Sequence, residues 1–172
     1  GGHMYAVPAT IHRTNTILYN KNVFEAHGLT EPKSLADFTT MAKKLAGTDV
    51  HLFAFGMRQP WNMAVFIFEE VLLAREGPRF YEDYFYGKLS ADDPRMVRTL
   101  QAALALLELV NPDDAQMSWF DAVTSVAKGR AAMTIIGDWA LPSAKGLKLG
   151  QDYVEIAFPG TKDVFAYNSD TF

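Results

Sequence analysis

Apolar and polar positions alternate in blocks along the chain, and the period of the alternation changes several times. Short apolar runs bounded by turn residues are typical of buried strands, and apolar positions spaced three and four apart are typical of helices. Extended segments are predicted at Met4–Pro8, Thr16–Tyr19, His51–Gly56, Ala131–Ile136, Tyr153–Phe158 and Val164–Tyr167. Because helical patterns lie between these segments, the sequence predicts an α/β domain.

The helical patterns are bounded by capping residues, glycine and proline, which are the usual markers of helix ends. The predicted helices are Lys21–His27, Ser34–Ala46, Pro60–Arg75, Arg79–Tyr86, Asp93–Val110, Ser118–Gly129 and a short helix capped by Asp138. On the longest of the later helices, the spacing of Leu100, Leu104 and Leu107 predicts the buried stripe.

Composition narrows the class of protein. The 172 residues are 49% hydrophobic and 21% charged, as in an ordinary globular domain. A net charge of −4 argues against a nucleic-acid-binding surface, and no apolar run approaches the roughly 18 residues of a membrane span. The absence of cysteine excludes disulfides and thiol nucleophiles. No secretory signal and no initiator methionine are visible, so the chain is predicted to be a processed or excised piece.

The three tryptophans, Trp61, Trp119 and Trp139, each lie in the first turn of a predicted helix. In open α/β sheets, ligands bind in the crevice beyond the carboxyl ends of the strands, where such turns meet. An indole offers a flat apolar face and one N–H donor, which suits the C–H patches and hydroxyls of a sugar. The same indoles could instead attach helix starts to the core, since Trp119 shares a helix face with Val123.

Two polar segments offer hydrogen-bonding groups beside apolar runs. His12, Arg13 and Asn15 form one corner near the start of the chain, and Asp170 follows the last predicted strand. Imidazole, amide and carboxylate groups can bind the hydroxyls of a sugar. A solvated turn and a turn-forming aspartate are the competing interpretations.

Catalytic patterns are weak in this sequence. The four histidines have no metal-binding spacing, and no glycine-rich phosphate loop is present, so neither a metal nor a cofactor is expected. Glu69 and Glu70 are adjacent and point about 100° apart on a helix, so they would not converge as an acid–base pair. Ser118 lies in a capping box rather than in a nucleophile elbow.

Three stretches of the sequence resemble the family 1 extracellular solute-binding proteins of ABC transporters. They are GGHMYAVPATIHRTNTILYNKNVFEAHGL, EPKSLADFTTMAKKL and SWFDAVTSVAKGRAAMTIIGDWA. In the second stretch, Leu35 stands where the family usually has tryptophan. The resemblance extends over essentially the whole chain.

The motifs IHR, MSW, IGDWA and SDTF are together similar to the glucose- and mannose-binding branch of that family. Carried over by motif, the sugar contacts of that branch fall on His12, Trp119, Trp139 and Asp170. Arg13 and Asn15 are weaker candidates as neighbours in the first motif. Trp61 does not match a family tryptophan, and Gln59 is an equally plausible cleft residue.

The resemblance implies a fold and a set of partners. Residues 1–172 would form one lobe of a two-lobed, class II periplasmic-binding-protein fold, with a mixed sheet flanked by helices. The partner lobe would be absent, and the parent protein would bind a monosaccharide and deliver it to a membrane permease from the periplasm or cell exterior. No cofactor and no nucleic acid is implied, and the isolated lobe is expected to bind sugar weakly because half of the contacts are missing.

Two alternatives stay open from the sequence. A carbohydrate-active enzyme would need two carboxylates about 5–10 Å apart. Asp138 and Asp170 are the only candidates, and Asp138 is expected to cap a helix. The chain could also be an excised lobe that serves as a folding or structural module.

Overall fold

The computed structural model of the protein describes residue 3 and residues 6–90, 92–144 and 146–172. It confirms an α/β fold in which a mixed sheet is flanked by helices. The strands are β1 (Pro8–Arg13), β2 (Thr16–Asn20), β3 (His51–Phe53), β4 (Ala131–Ile135), β5 (Tyr153–Ala157) and β6 (Tyr167–Thr171). The helices are α1 (Lys21–Ala26), α2 (Leu35–Leu45), α3 (Glu70–Phe85), α4 (Pro94–Leu107) and α5 (Trp119–Ala127). A π-helical segment, Met63–Glu69, leads into α3, and short 3₁₀ segments span Asp114–Gln116 and Asp138–Ser143.

The central sheet has four strands in the order β3-β4-β2-β5. Strand β2 is antiparallel to both β4 and β5, whereas β3 and β4 are parallel. Every residue of β2 and β4 is buried. Helices therefore cover both faces of these strands, which explains their uninterrupted apolar sequences.

The first and last strands form a separate two-stranded ribbon. Strands β1 and β6 are antiparallel, with His12 opposite Asn168 and Thr10 opposite Asp170. The ribbon thus brings polar residues from the two ends of the sequence side by side.

Local capping signals are confirmed at several helix starts. The Asp37 carboxylate accepts the backbone N–H groups of Lys33 and Ser34 at 2.7 and 2.9 Å, at the start of α2. Ser118 and Asp121 form the same capping box at the start of α5. Because each box satisfies N–H groups that the helix leaves unpaired, it fixes the first residue of the helix.

Helix α3 is broken in the middle. Gly77 has φ 81° and ψ 172°, and Pro78 follows it. Only glycine adopts this backbone conformation readily, and proline donates no hydrogen bond to the preceding turn. The predicted end of one helix near Gly77 and the start of another are therefore confirmed, and the second half of α3 turns away from the first.

The predicted buried stripe of α4 is wrong. Leu100 and Leu104 are 47% and 63% exposed, and Leu107 is only partly buried. The buried residues of α4 are Met96, Thr99, Ala103 and Leu106. The apolar residues of this helix form two neighbouring stripes, so periodicity alone could not decide between them; packing against α3 selects the second.

The first and last predicted strands differ most from the observed ones, while β3 ends at Phe53, three residues before its predicted end. Met4 and Tyr5 lie outside the described residues, and β1 begins at the last residue of the predicted segment, Pro8. The last strand spans Tyr167–Thr171 rather than Val164–Tyr167. The backbone carbonyl of Val164 accepts side-chain hydrogen bonds instead of entering a strand ladder. None of the described helices is both long and apolar enough to cross a membrane.

Candidate functional site

A cleft of about 720 Å³ lies where the carboxyl ends of β3 and β4 meet the β1–β6 ribbon and the segment that leads into α3. All three tryptophans line it, together with side chains from both ends of the chain. We call the part built from His12, Trp119, Trp139 and Asp170 the strand-end half. The part built from Trp61, Val65, Glu69, Tyr81 and Phe85 is the helical half.

Trp139 owes its position to the glycine two residues before it. A Cβ atom on Gly137 would lie 1.8 Å from Cζ3 of the Trp139 indole. The indole therefore lies directly against the Gly137 backbone, just beyond the carboxyl end of β4. No residue with a side chain at position 137 is compatible with this placement.

Trp119 is also positioned by a glycine. A Cβ atom on Gly56 would lie 2.3 Å from the backbone carbonyl carbon of Ser118 and 2.7 Å from the backbone nitrogen of Trp119. The start of α5 thus packs against the backbone that follows β3. Because β3 and β4 are parallel, Gly56 and Gly137 hold the two indoles at the same edge of the sheet.

His12 is held by Asp138 and by Trp139. The Asp138 carboxylate lies 3.2 Å from Nδ1 of His12 and accepts the backbone N–H of Arg13 at 3.1 Å. The imidazole meets the Trp139 indole edge to face, with ring centroids 5.6 Å apart. A carboxylate can only accept, so Nδ1 carries a hydrogen, and in the neutral ring Nε2 is then the acceptor.

Asp138 does not cap the short helix as predicted. The residue at the capping position is Gly137, and no side chain makes a capping hydrogen bond there. The Asp138 carboxylate is used instead to bind β1, across the gap between the sheet and the ribbon. A sequence pattern cannot distinguish these roles, since the partners of Asp138 are more than a hundred positions away.

Asp170 extends from the ribbon. One of its carboxylate oxygens accepts the hydroxyl of Thr10 at 2.8 Å, and the residue is exposed. Asn168, two positions earlier, also lines the cleft and lies opposite His12 in the ribbon. The antiparallel register therefore places one carboxylate, one amide and one imidazole along the same side of the strand-end half.

Arg13 and Asn15, the weaker candidates for ligand contacts, are not among the residues that line the cleft. Asn15 is fully buried, and its amide donates to the hydroxyl of Thr161 at 2.8 Å and to the carbonyl of Val164 at 3.0 Å. Its carbonyl oxygen accepts from Nε of Arg13 at 3.0 Å, and a second Arg13 nitrogen donates to Val164. Both side chains thus attach the ribbon to the loop after β5.

The helical half begins with residues spaced four apart. Trp61, Val65 and Glu69 all line the cleft from the segment before α3. Tyr81 returns to the same place after the break at Gly77, and its hydroxyl donates to Glu69 at 3.0 Å. Residues four apart share a helix face, so one continuous segment supplies this half.

Burial shapes the acid–base properties of these side chains. Removal from water raises the pKa of Glu69, and the hydrogen bond from Tyr81 offsets part of that rise. The pKa of the Tyr81 hydroxyl is raised by burial and by the neighbouring Glu69 carboxylate. The adjacent Glu70 is only 2% exposed, and burial followed by repulsion from Glu69 raises its pKa well above the ordinary value.

A family model described as bacterial extracellular solute-binding protein matches residues 1–171. The chain belongs to this family. It is 40% identical to an uncharacterized ABC transporter extracellular-binding protein of Pyrococcus horikoshii, covering 99% of this chain and 39% of that protein. It is 33% identical to a probable sugar-binding periplasmic protein of Mesorhizobium japonicum, covering 99% of this chain and 42% of that protein.

Among solved structures, the bacterial solute receptor AcbH, which prefers β-D-galactopyranose, superposes with a TM-score of 0.83 at 22% identity. The match covers 99% of this chain and 44% of that receptor, so the fold is that of solute-binding receptors. The chain spans about two fifths of the length of the curated relatives that it matches. The family consists of receptors rather than enzymes.

The fold brings some, but not all, of the residues predicted for the site into the cleft. His12, Trp119, Trp139 and Asp170 lie together in one cleft, as does Trp61, whereas Gln59 is not among the lining residues. The described residues contain no group of three or more His, Asp or Glu side chains that could hold a metal ion.

Glu69 and Tyr81 line the cleft, although no sequence pattern predicted them as site residues. Glu69 was weighed only as a partner for Glu70, and the structure confirms that the two carboxylates diverge, one toward the cleft and one into the interior. The sequence did offer one signal for Glu69: it is spaced four and eight residues from Val65 and Trp61, so the three share one helix face. The return of Tyr81 after Gly77 had no signal in the sequence, because the angle of a helix break depends on packing.

Proposed function

We propose that the chain is one lobe, residues 1–172, of a sugar receptor that serves an ABC transporter, and that its strand-end half binds a hexose ring of the glucose or mannose type. The observation that carries this proposal is the assembly of His12, Trp119, Trp139 and Asp170 in one cleft from distant parts of the chain. The names of the relatives, which include a probable sugar-binding periplasmic protein, support the choice of ligand class.

The chemistry of the strand-end half suits a pyranose. Trp119 and Trp139 provide apolar faces for the C–H groups of the ring. Nε2 of His12 accepts a hydroxyl, and the oxygens of Asp170 accept one or two more. Asp138 positions His12 through Nδ1, so the imidazole is oriented before the ligand arrives.

The charge of the cleft favours neutral sugars. Its lining contains the carboxylates of Glu69 and Asp170, and no lysine or arginine is among the described lining residues. A sugar acid or sugar phosphate would therefore be repelled by like charge. We expect glucuronate and glucose 6-phosphate to be excluded.

A second lobe completes the site in this proposal. The cleft is open, so a sugar bound here alone keeps much of its surface in water and gains only part of the contacts of an enclosed ligand. Closure of two lobes on the sugar would then present a surface to a membrane permease, with the receptor in the periplasm or outside the cell.

The three indole N–H resonances of the chain test the proposal, since every tryptophan lines the cleft. We expect glucose or mannose to shift the Trp119 and Trp139 signals at millimolar concentrations, with assignments from single Trp→Phe variants. Glucose 6-phosphate is the matched ligand control. If no neutral sugar shifts either signal, sugar binding is wrong; micromolar affinity for the isolated chain by calorimetry would contradict the need for a second lobe.

A further inference from the structure

We propose that two copies of this chain associate through the exposed face of α4, with the two helices antiparallel. The contact surface is an apolar stripe of Val97, Leu100 and Leu104, which are 43%, 47% and 63% exposed. We call it the outer stripe of α4. None of its residues lines the cleft, so the proposal concerns a different surface and does not depend on the proposed function.

Helix α4 carries apolar side chains on two faces, and the folded chain covers only one of them. The inner face packs toward α3 and the π-helical segment, and its buried residues are Met96, Thr99, Ala103 and Leu106. The residues of the outer stripe are three and four positions apart, so they are neighbours on the helix surface. Isolated exposed apolar residues are ordinary, but a contiguous group of them indicates an interaction surface.

The spacing of the outer stripe is the one that pairs helices with each other. Apolar residues that alternate three and four apart form the contact line of coiled coils. Leu107, which is half-buried, continues this spacing by one step. In an antiparallel pair, Leu100 of one copy therefore faces Leu104 of the other, and Val97 faces Leu107. Both copies use the same patch, as a two-fold symmetric interface requires.

Charges at the two ends of the outer stripe favour the antiparallel arrangement. Arg98 is exposed beside Val97 near the amino end of α4, and Glu108, four residues after Leu104, is the C-cap. A carboxylate at the carbonyl end of its own helix is unfavourable. Antiparallel pairing places the amino end of the partner helix and its Arg98 next to Glu108. Parallel pairing would instead place like charges together at both ends.

The acidic N-cap of α4 does not cancel this complementarity. The Asp93 carboxylate is 2.7 Å from a guanidinium nitrogen of Arg95, so the charge of Asp93 is already offset within one copy. The Arg95 guanidinium also lies over the ring of Phe80, which directs it toward α3 and away from the outer stripe. Arg98 and Glu108 are thus the charges that meet across the pair.

The length of α4 limits the strength of the association. The helix has 14 residues and is therefore about 21 Å long. One pair of helices of this length buries less than the roughly 1,200 Å² of a standard stable interface. We therefore expect a dissociation constant on the order of 10⁻⁴ M, so that the chain is a monomer when dilute and a dimer when concentrated.

Sedimentation equilibrium of the 172-residue chain, without any ligand, tests the association between about 10 μM and about 1 mM. We expect the average mass to rise from that of a monomer toward that of a dimer. Leu104→Glu should weaken the association at least tenfold, because it puts a charge at the centre of the stripe. Leu149→Glu is the matched control, since Leu149 is 55% exposed outside α4 and the change in net charge is the same.

Exchange of the end charges tests the antiparallel direction. Arg98→Glu and Glu108→Arg should each weaken the association about threefold to fivefold, because each sets like charges against each other across the pair. The double variant Arg98→Glu/Glu108→Arg should restore the parent affinity. Each single change suits the dipole of its own helix, so denaturant unfolding of the dilute monomer should show no loss of stability.

Three results would overturn the proposal. A chain that stays monomeric at about 1 mM does not associate through α4. A dimer that Leu104→Glu and Leu149→Glu weaken equally forms through another surface. A dimer that neither single charge change weakens, or that the double variant does not restore, is not the antiparallel pair.

Discussion

The two halves of the cleft present similar side chains but are built in different ways. The strand-end half collects residues from both ends of the chain at the edge of the central sheet and its ribbon. The helical half comes from a single segment between Trp61 and Phe85, which is broken at Gly77. Indole and carboxylate groups can therefore be brought together either by sheet topology or by one broken helix.

The supports of the two halves also differ. In the strand-end half, Gly56 and Gly137 permit backbone and indole to approach more closely than any side chain would allow. The helical half rests on a small apolar cluster of Leu72, Phe80 and Met96, with Tyr81 packed against it. We therefore expect the strand-end half to be destabilised by substitutions that add atoms at its glycines. The helical half should be destabilised by substitutions that remove atoms from its apolar cluster, and the following variants test this difference.

The largest effect is expected for Phe80→Ala. Phe80 is 5% exposed, so its loss leaves a cavity in the small cluster and should lower the free energy of unfolding by about 3–5 kcal/mol. Because Tyr81 packs against this cluster, its hydrogen bond to Glu69 should also be lost. Phe85→Ala, at a 54% exposed position, should change stability by less than about 0.5 kcal/mol. Denaturant unfolding measures the stability of both variants. Equal losses of stability in Phe80→Ala and Phe85→Ala would show that Phe80 does not support the helical half.

The next effect compares two glycines. Gly56→Ala drives a Cβ atom into the backbone of Ser118, which cannot move aside, so a loss of about 3 kcal/mol is expected. Gly137→Ala meets the indole of Trp139, which is a side chain and can swing away, so about 1 kcal/mol should be lost together with the sugar response of Trp139.

Gly87→Ala shows the cost of a left-handed backbone without crowding, the reverse of Gly56 and Gly137, neither of which has a positive φ. Its φ is 65°, and nothing lies within 4 Å of an added Cβ atom. We expect a cost of about 1 kcal/mol from the left-handed backbone alone and no change in any indole signal. A loss at Gly56→Ala no greater than that at Gly87→Ala would mean that close backbone contact does not support Trp119.

A pH-dependent effect is expected at Glu70. Its carboxyl is buried, the charges that act on it are Glu69 and Arg13, and its Oε2 has no hydrogen-bond partner among the described residues. Its raised pKa means that the folded state holds this proton more tightly than the unfolded state does. Stability from this group therefore increases as the pH falls from neutral toward about 4.5 and is lost as the pH rises through the folded-state pKa.

Glu70→Gln removes this dependence. We expect the variant to be more stable at pH 7 by about 1–3 kcal/mol, and the difference from the parent chain to shrink as the pH falls toward 4.5. Glu82→Gln, exposed on the same helix, should give no such pH-dependent difference. A constant difference between parent and Glu70→Gln across this pH range would show that Glu70 does not titrate in the folded protein.

The smallest effect is expected for Asp138→Ala. The substitution removes the acceptor of His12 Nδ1 and of the Arg13 N–H, and both groups are only partly buried, so about 1 kcal/mol should be lost. Hydrogen exchange at β1 should accelerate while the helical half is unaffected. Asp138→Asn keeps one acceptor oxygen and should recover part of the protection from exchange. If exchange at β1 is unchanged in Asp138→Ala, Asp138 does not hold His12 and β1 in place.

Much of the fold follows from patterns within the sequence. The capping boxes at Ser34 and Ser118 and the break at Gly77 were predicted correctly because their causes lie within a few residues. The buried strands β2 and β4 were predicted because continuous apolar runs have few other uses in a globular domain. The stripe of α4 was predicted wrongly because two apolar faces competed, and only the neighbouring helix decided between them.

The site divides in the same way. His12, Trp119, Trp139 and Asp170, which motifs predict as sugar contacts, line the cleft, whereas Asn15, a weaker candidate, is buried beneath the ribbon. A motif records which residue types occur together, but it does not state which of two neighbours points outward. The polar group at position 15 was visible in the sequence; its partner, Thr161, was not.

The sequence by itself determined most of the elements, the caps at Ser34 and Ser118, the break at Gly77 and the family, because each depends on local backbone preferences or on a recurring motif. Only the tertiary structure decided that Gly137 lies under Trp139, that Asp138 binds β1 instead of capping a helix, and that Tyr81 reaches Glu69. Each of these contacts depends on how elements pack, and packing angles are set by the whole core rather than by adjacent residues.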